Sequence, residues 1–128
     1  MKDFGRVRPV HPYAWLWEPL EPDPTFVLRP MFGTRAAYLD GRLQLCFSAQ
    51  ADPWRGVLVC TDRERQESLR RDWPELTPHP VLPKWLYLPE SADGFERVGK
   101  ILVVLVRRRD PRIGVVPQPK KRARRSRK

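Results

Sequence analysis

Asp40-Gly41 stands between two apolar runs, and that dipeptide constrains this chain more than any other feature. A two-residue type I′ loop needs positive φ at both positions, which Asp-Gly tolerates, and its twist matches that of paired strands. Closing a ladder there pairs Leu39 with Arg42, Tyr38 with Leu43, Ala36 with Leu45 and Thr34 with Phe47. Cross-strand partners share a face. Ala36, Tyr38, Leu43, Leu45 and Phe47 are therefore expected to form one apolar surface, with Arg35, Arg42 and Gln44 on the other.

The remaining elements follow from local chemistry. Fifteen prolines in 128 residues exclude a helical bundle and favour short strands with stiff connections. Gly56-Val57-Leu58-Val59-Cys60 reads as a third, central strand. Thr61-x-x-Glu64 reads as a capping box opening a helix over about 62–72, with Leu69 and Trp73 on its inner side. Lys84-Trp85-Leu86-Tyr87-Leu88, bracketed by Pro83 and Pro89, reads as a fourth strand near an edge. A last helix spans about 92–108, capped by Ser91 or Asp93, with Phe95, Val98, Leu102, Leu105 and Val106 in a stripe. Residues 101–106 carry β-branched side chains that suit a strand, but the polar spacing before them favours helix. The expectation is an α+β fold with an antiparallel sheet of about four to five strands, built on the 34–47 hairpin, and two helices. Residues 1–28 form a Pro- and Trp-rich arm whose rings either cover the sheet or leave an aromatic groove.

The segment Arg29-x-Met31-Phe32-Gly33, followed by Tyr38-x-Asp40-Gly41, resembles the opening of the TfoX N-terminal-like family, in which a Met-Phe-Gly turn feeds a hairpin. The likeness covers roughly residues 29–47, with a compatible element order to about residue 117. It implies a compact single domain over 29–117 with an antiparallel sheet, in a family whose members are associated with regulation of competence.

Charge locates the loudest functional signal. The formal net charge is +10, and Lys120, Lys121, Arg122, Arg124, Arg125, Arg127 and Lys128 carry seven of these charges, leaving a net +3 elsewhere. A basic tail over 118–128 can neutralise phosphates and release counterions; seven contacts on duplex DNA would give a log–log salt slope of about −6. The same run also suits a solvated end. Nucleic acid or an acidic protein is thus the candidate partner for the tail, which is expected to be disordered.

No run of 18 apolar residues exists, so no membrane helix is expected. Cys46 and Cys60, without a secretion signal, point to reduced thiols in a cytoplasmic protein. No cofactor motif appears, and His11, Cys46, Cys60 and His79 lack metal-ligand spacing. A nucleophilic Cys would need His79 beside it. Met31-Phe32-Gly33 is a candidate pocket edge. Trp54-Arg55 and Lys84-Trp85 each place a cation beside an indole, and so are candidate surface or pocket residues. The sequence thus points to a non-enzymatic interaction module docking a protein partner or polyanion. The alternative is a small-molecule-binding protein or enzyme with a pocket between the N-terminal arm and the sheet.

Overall fold

The computed structural model describes residues 11–117. Six antiparallel strands form one sheet in the order β1-β2-β3-β4-β6-β5. The strands are β1 (Val27–Met31), β2 (Thr34–Leu39), β3 (Arg42–Ala49), β4 (Arg55–Val59), β5 (Thr77–Pro78) and β6 (Leu86–Pro89). The helices are α1 (Ala14–Trp17), α2 (Arg63–Asp72) and α3 (Phe95–Arg107), and a single 3-10 turn, Glu18–Leu20, follows α1. None is long and apolar enough to cross a membrane.

The fold is α+β, with six strands and three helices against the four to five strands and two helices expected. The added elements are the two-residue edge strand β5, and α1 and β1 in or beside the N-terminal arm. Apolar groups at Leu16, Trp17 and Leu20 are buried there, which holds a turn of helix too short to stand alone. The arm ends inside β1, so Val27 and Leu28 belong to the sheet.

The chain reverses at Asp40 and Gly41, with φ of 54° and 75°. Phe32 and Gly33, at φ 50° and 79°, close the β1–β2 hairpin in the same left-handed region. Between β2 and β3 the register departs from a regular ladder. Tyr38 faces Leu43, but Ala37 faces Leu45 and Ala36 faces Cys46. Gln44 is the extra residue of a bulge, and a one-residue insertion turns every later side chain to the opposite face. Leu43 therefore lies on the face opposite Leu45 and Phe47, and the single apolar surface expected from a regular ladder is divided in two.

Both faces are consequently apolar. Ala37, Leu39, Leu45, Phe47, Val57, Val59, Leu86 and Leu88 pack against the helices and the arm. Trp17 packs at a tilt on Phe47 of β3 at 5.2 Å, covering the sheet, while Tyr13 packs on Phe95 of α3 at 5.6 Å. The opposite face carries Ala36, Leu43, Cys46, Leu58, Cys60 and Tyr87. Residues 101–106 are helical: α3 buries Phe95, Val98, Leu102, Val103 and Val106 at helical spacing. Its N-cap is Gly94 rather than Ser91 or Asp93.

The cap of α2 is Asp62, whose side chain accepts from the Arg65 amide at 3.0 Å. Thr61 instead donates to the Arg112 carbonyl at 2.7 Å, so the expected capping box does not form. That contact belongs to a staple made by arginines. Arg65 donates to the carbonyls of Pro111 and Gly114, and Arg112 bridges Asp72, Ser68 and Asp110. Val115 then exchanges two backbone hydrogen bonds of 2.9 Å with Leu43. The C-terminal segment is thereby laid along the second face of the sheet.

Candidate functional site

A cavity of about 770 Å³ opens on this second face, within the range of small-ligand pockets. Leu43, Cys46 and Leu58 form its floor, and Met31 and Phe32 bring the β1–β2 turn to one edge. Val115, Val116 and Pro117 border it along the C-terminal segment, while Trp54 and residues 81–85 complete the walls. The bulge at Gln44 is what turns Leu43 into this floor.

The 81–85 wall is held by two buried polar side chains. His79 is fully buried. Its Nε2 donates to the Pro53 carbonyl at 2.7 Å, because an oxygen without hydrogen can only accept. Nδ1 is therefore bare and accepts from the amides of Val81 and Leu82 at 3.0 and 3.1 Å. Burial holds the His79 pKa below the ordinary histidine value, with the Pro53 contact opposing it. The ring packs 4.2 Å from Trp54 and 5.1 Å, edge-on, from Tyr87. From α2, Gln66 donates to the carbonyls of Pro83 and Lys84 at 2.7 and 2.8 Å.

Trp54, Lys84 and Trp85 come together at the cavity. Arg55 does not join them: it lies 3.5 Å from Glu90, and its carbonyl accepts from the Tyr87 hydroxyl at 2.8 Å. One residue of strand sends neighbouring side chains to opposite faces, which separates Arg55 from its tryptophan. The seven cations at Lys120, Lys121, Arg122, Arg124, Arg125, Arg127 and Lys128 lie outside the described residues. By sequence, their run begins three residues beyond Pro117, on the cavity border. A second cavity, of about 230 Å³, lies between the arm and α3 at Trp15, Leu16, Pro19, Lys100 and Val103; the larger site lies on the face of the sheet opposite the arm.

The thiols of Cys46 and Cys60 face each other at 4.0 Å, both buried. Burial pushes the Cys60 pKa up, and the neighbouring Cys46 adds to it. Since both His79 nitrogens are engaged elsewhere, no Cys–His pair forms. Asp62 is committed to capping α2 and to Arg65 Nε at 2.9 Å. Lys84 has no ion-pair partner among the described residues. The cavity thus offers shape, aromatic contact and one free cation.

Sequence reasoning missed the contribution of Val81 and Leu82, which looked like loop, and it placed Val115–Pro117 against the body of the domain without assigning them to a site. It also missed His79 and Gln66 as supports. The available signal was the apolar character of Val81-Leu82 between prolines, unusual for a solvated loop. No protein-family model, curated protein or solved structure matches this chain. The resemblance at Met31-Phe32-Gly33 and Asp40-Gly41 therefore rests on those residues alone.

Proposed function

We propose that this domain is a non-enzymatic interaction module that takes large apolar groups of a partner into the cavity. The basic residues 120–128 add electrostatic attraction for an anionic partner. One observation carries the reading: the cavity rim is apolar and exposed. Phe32 is 88% exposed, Val116 60% and Val81 57%, and all three border the same opening. Contiguous exposed apolar surface of this kind marks interaction sites. A purely small-molecule pocket would not account for apolar side chains standing outside the cavity mouth.

Phe32 supports the reading independently. A bulky residue at φ 50° is disfavoured in the left-handed region, where Asn, Asp and Gly are tolerated. The other tight turn carries Asp at the equivalent position. A strained, exposed aromatic at a turn tip is a feature retained at a stability cost.

The test is Phe32→Asn, which relieves the backbone and removes the ring. Stability should rise by roughly 1 kcal/mol in urea unfolding, while affinity for a neutral peptide of alternating Leu and Phe falls by about tenfold. Unchanged affinity would contradict the reading.

A further inference from the structure

Resting on that reading of the cavity, we infer that its apolar guest is a second copy of this chain. The two copies meet across a two-fold axis, with Phe32 of each in the cavity of the other. Such a contact requires one patch to be complementary to itself. This face meets the requirement in shape, because a projecting ring and an apolar hollow lie side by side. Phe32 stands 88% exposed at the edge of the hollow whose floor is Leu43, Cys46 and Leu58. No described residue of its own chain covers the ring, although the hollow adjoins it. The turn that carries Phe32 is braced before any partner arrives. The Thr34 hydroxyl donates to the Met31 carbonyl at 2.7 Å, and the Gln50 amide lies so close to Gly33 that a Cβ there would collide with it. A knob fixed in this way loses little freedom on docking.

Charge and polarity point to the same partner. The lining bears one cation, Lys84, and one carboxylate, Asp62, which stays half-exposed with Arg65 bound. Opposite charges on one patch find their complements when that patch faces itself, whereas a strongly anionic or cationic surface meets only half a match. The other side-chain groups left to pair on the described lining are the Gln50 amide and the indole N–H groups of Trp54 and Trp85. An amide both donates and accepts, so Gln50 can pair with its counterpart or accept from an indole. Phe32 alone offers on the order of 150–200 Å², about a fifth of the ~800 Å² that each partner gives to a standard interface. Val81, Leu82 and Val116 extend this area along the same rim. The dimer is therefore reversible, with a dissociation constant on the order of 10 μM.

Sedimentation velocity of the full chain from about 1 to 500 μM, at low and high salt, tests this. It should show a monomer–dimer equilibrium that tightens with salt, since two copies of net charge +10 repel each other. Phe32→Asn and, separately, Val81→Glu on the rim should each weaken dimerisation about tenfold, with no fall in the melting temperature of dilute protein. A saturating neutral Leu–Phe peptide should return the wild type to monomer. A dimer that survives either variant or the peptide, or one that salt dissociates, overturns the second copy as guest. A monomer at every concentration overturns it too. If that monomer still binds the neutral peptide, with shifts in the Trp54 and Trp85 indole resonances, the reading of the cavity stands; if it does not bind, both fall.

Discussion

His79→Ala is expected to lower the unfolding free energy by about 4 kcal/mol and to abolish peptide binding at the cavity. The side chain is fully buried and makes three hydrogen bonds. Truncation leaves a void between Trp54 and Tyr87 and strands the amides of Val81 and Leu82. Those amides anchor the loop that carries Val81, Leu82, Lys84 and Trp85, so the wall should loosen even where the fold survives. His79→Gln, which retains a donor and an acceptor, should be milder in stability and in binding.

The same bonds give a pH signature. Protonating Nδ1 would break both contacts it accepts, and burial already holds the folded-state pKa below that of the unfolded chain. The unfolded state therefore takes up a proton first as pH falls. Stability contributed by neutral His79 is complete above the ordinary value of 6.5 and declines as pH drops below it, by at most about 1.4 kcal/mol per unit. His11 titrates with the same sign, through burial and then Arg35. The carboxylates act in a lower window. Arg109 holds Asp23 and Asp40 below the usual range, and Arg112 does the same for Asp110, so their contributions are lost only in stronger acid. Urea midpoints at pH 7 and 5 should show the wild type losing more stability than His79→Gln. Equal losses would contradict a folded-state His79 pKa below that of the unfolded chain.

Gly56→Ala should be comparably damaging. Gly56 lies in β4 at φ 143°, paired with Ser48 and Pro89. A Cβ there would collide with the Leu88 carbonyl oxygen and come within 3.0 Å of the Glu90 amide nitrogen. Those atoms are backbone of β6 and its exit, and cannot rotate aside. The substitution forces β4 and β6 apart or strains the turn into β4, at roughly 3–5 kcal/mol. Against a total of about 5–15 kcal/mol for a domain of this kind, the loss should lower the melting temperature by roughly 10 °C or more by circular dichroism. A melting temperature within a few degrees of wild type would refute the contact.

Much of the framework was legible because local chemistry decided it. Asp40-Gly41 announced its turn through backbone preference, and the α3 stripe announced a helix despite its β-branched run. The division of the sheet into two apolar faces was hidden. It depends on one extra residue, Gln44, whose insertion is favoured by contacts from residues more than sixty positions later. The cavity was half visible: Trp54, Lys84 and Trp85 drew notice as cation–aromatic neighbours, and Met31-Phe32-Gly33 as a pocket edge. Arg55 was misplaced because adjacency in sequence says nothing of the face on which a strand residue emerges. Val115–Pro117 could not be assigned to the site, since their position is fixed by Arg65 and Arg112 bonds that no local pattern encodes.

The central claim, that the second face of the sheet is the binding surface, is tested most directly by following amide and indole resonances of the full chain by NMR. The titrant is the neutral Leu–Phe peptide. The account predicts shifts at residues 31–34, at Trp54 and Trp85, and along 81–85 and 115–117, with α3 unchanged. Shifts centred instead on Trp15, Lys100 and Val104, on the outer side of α3, would contradict it.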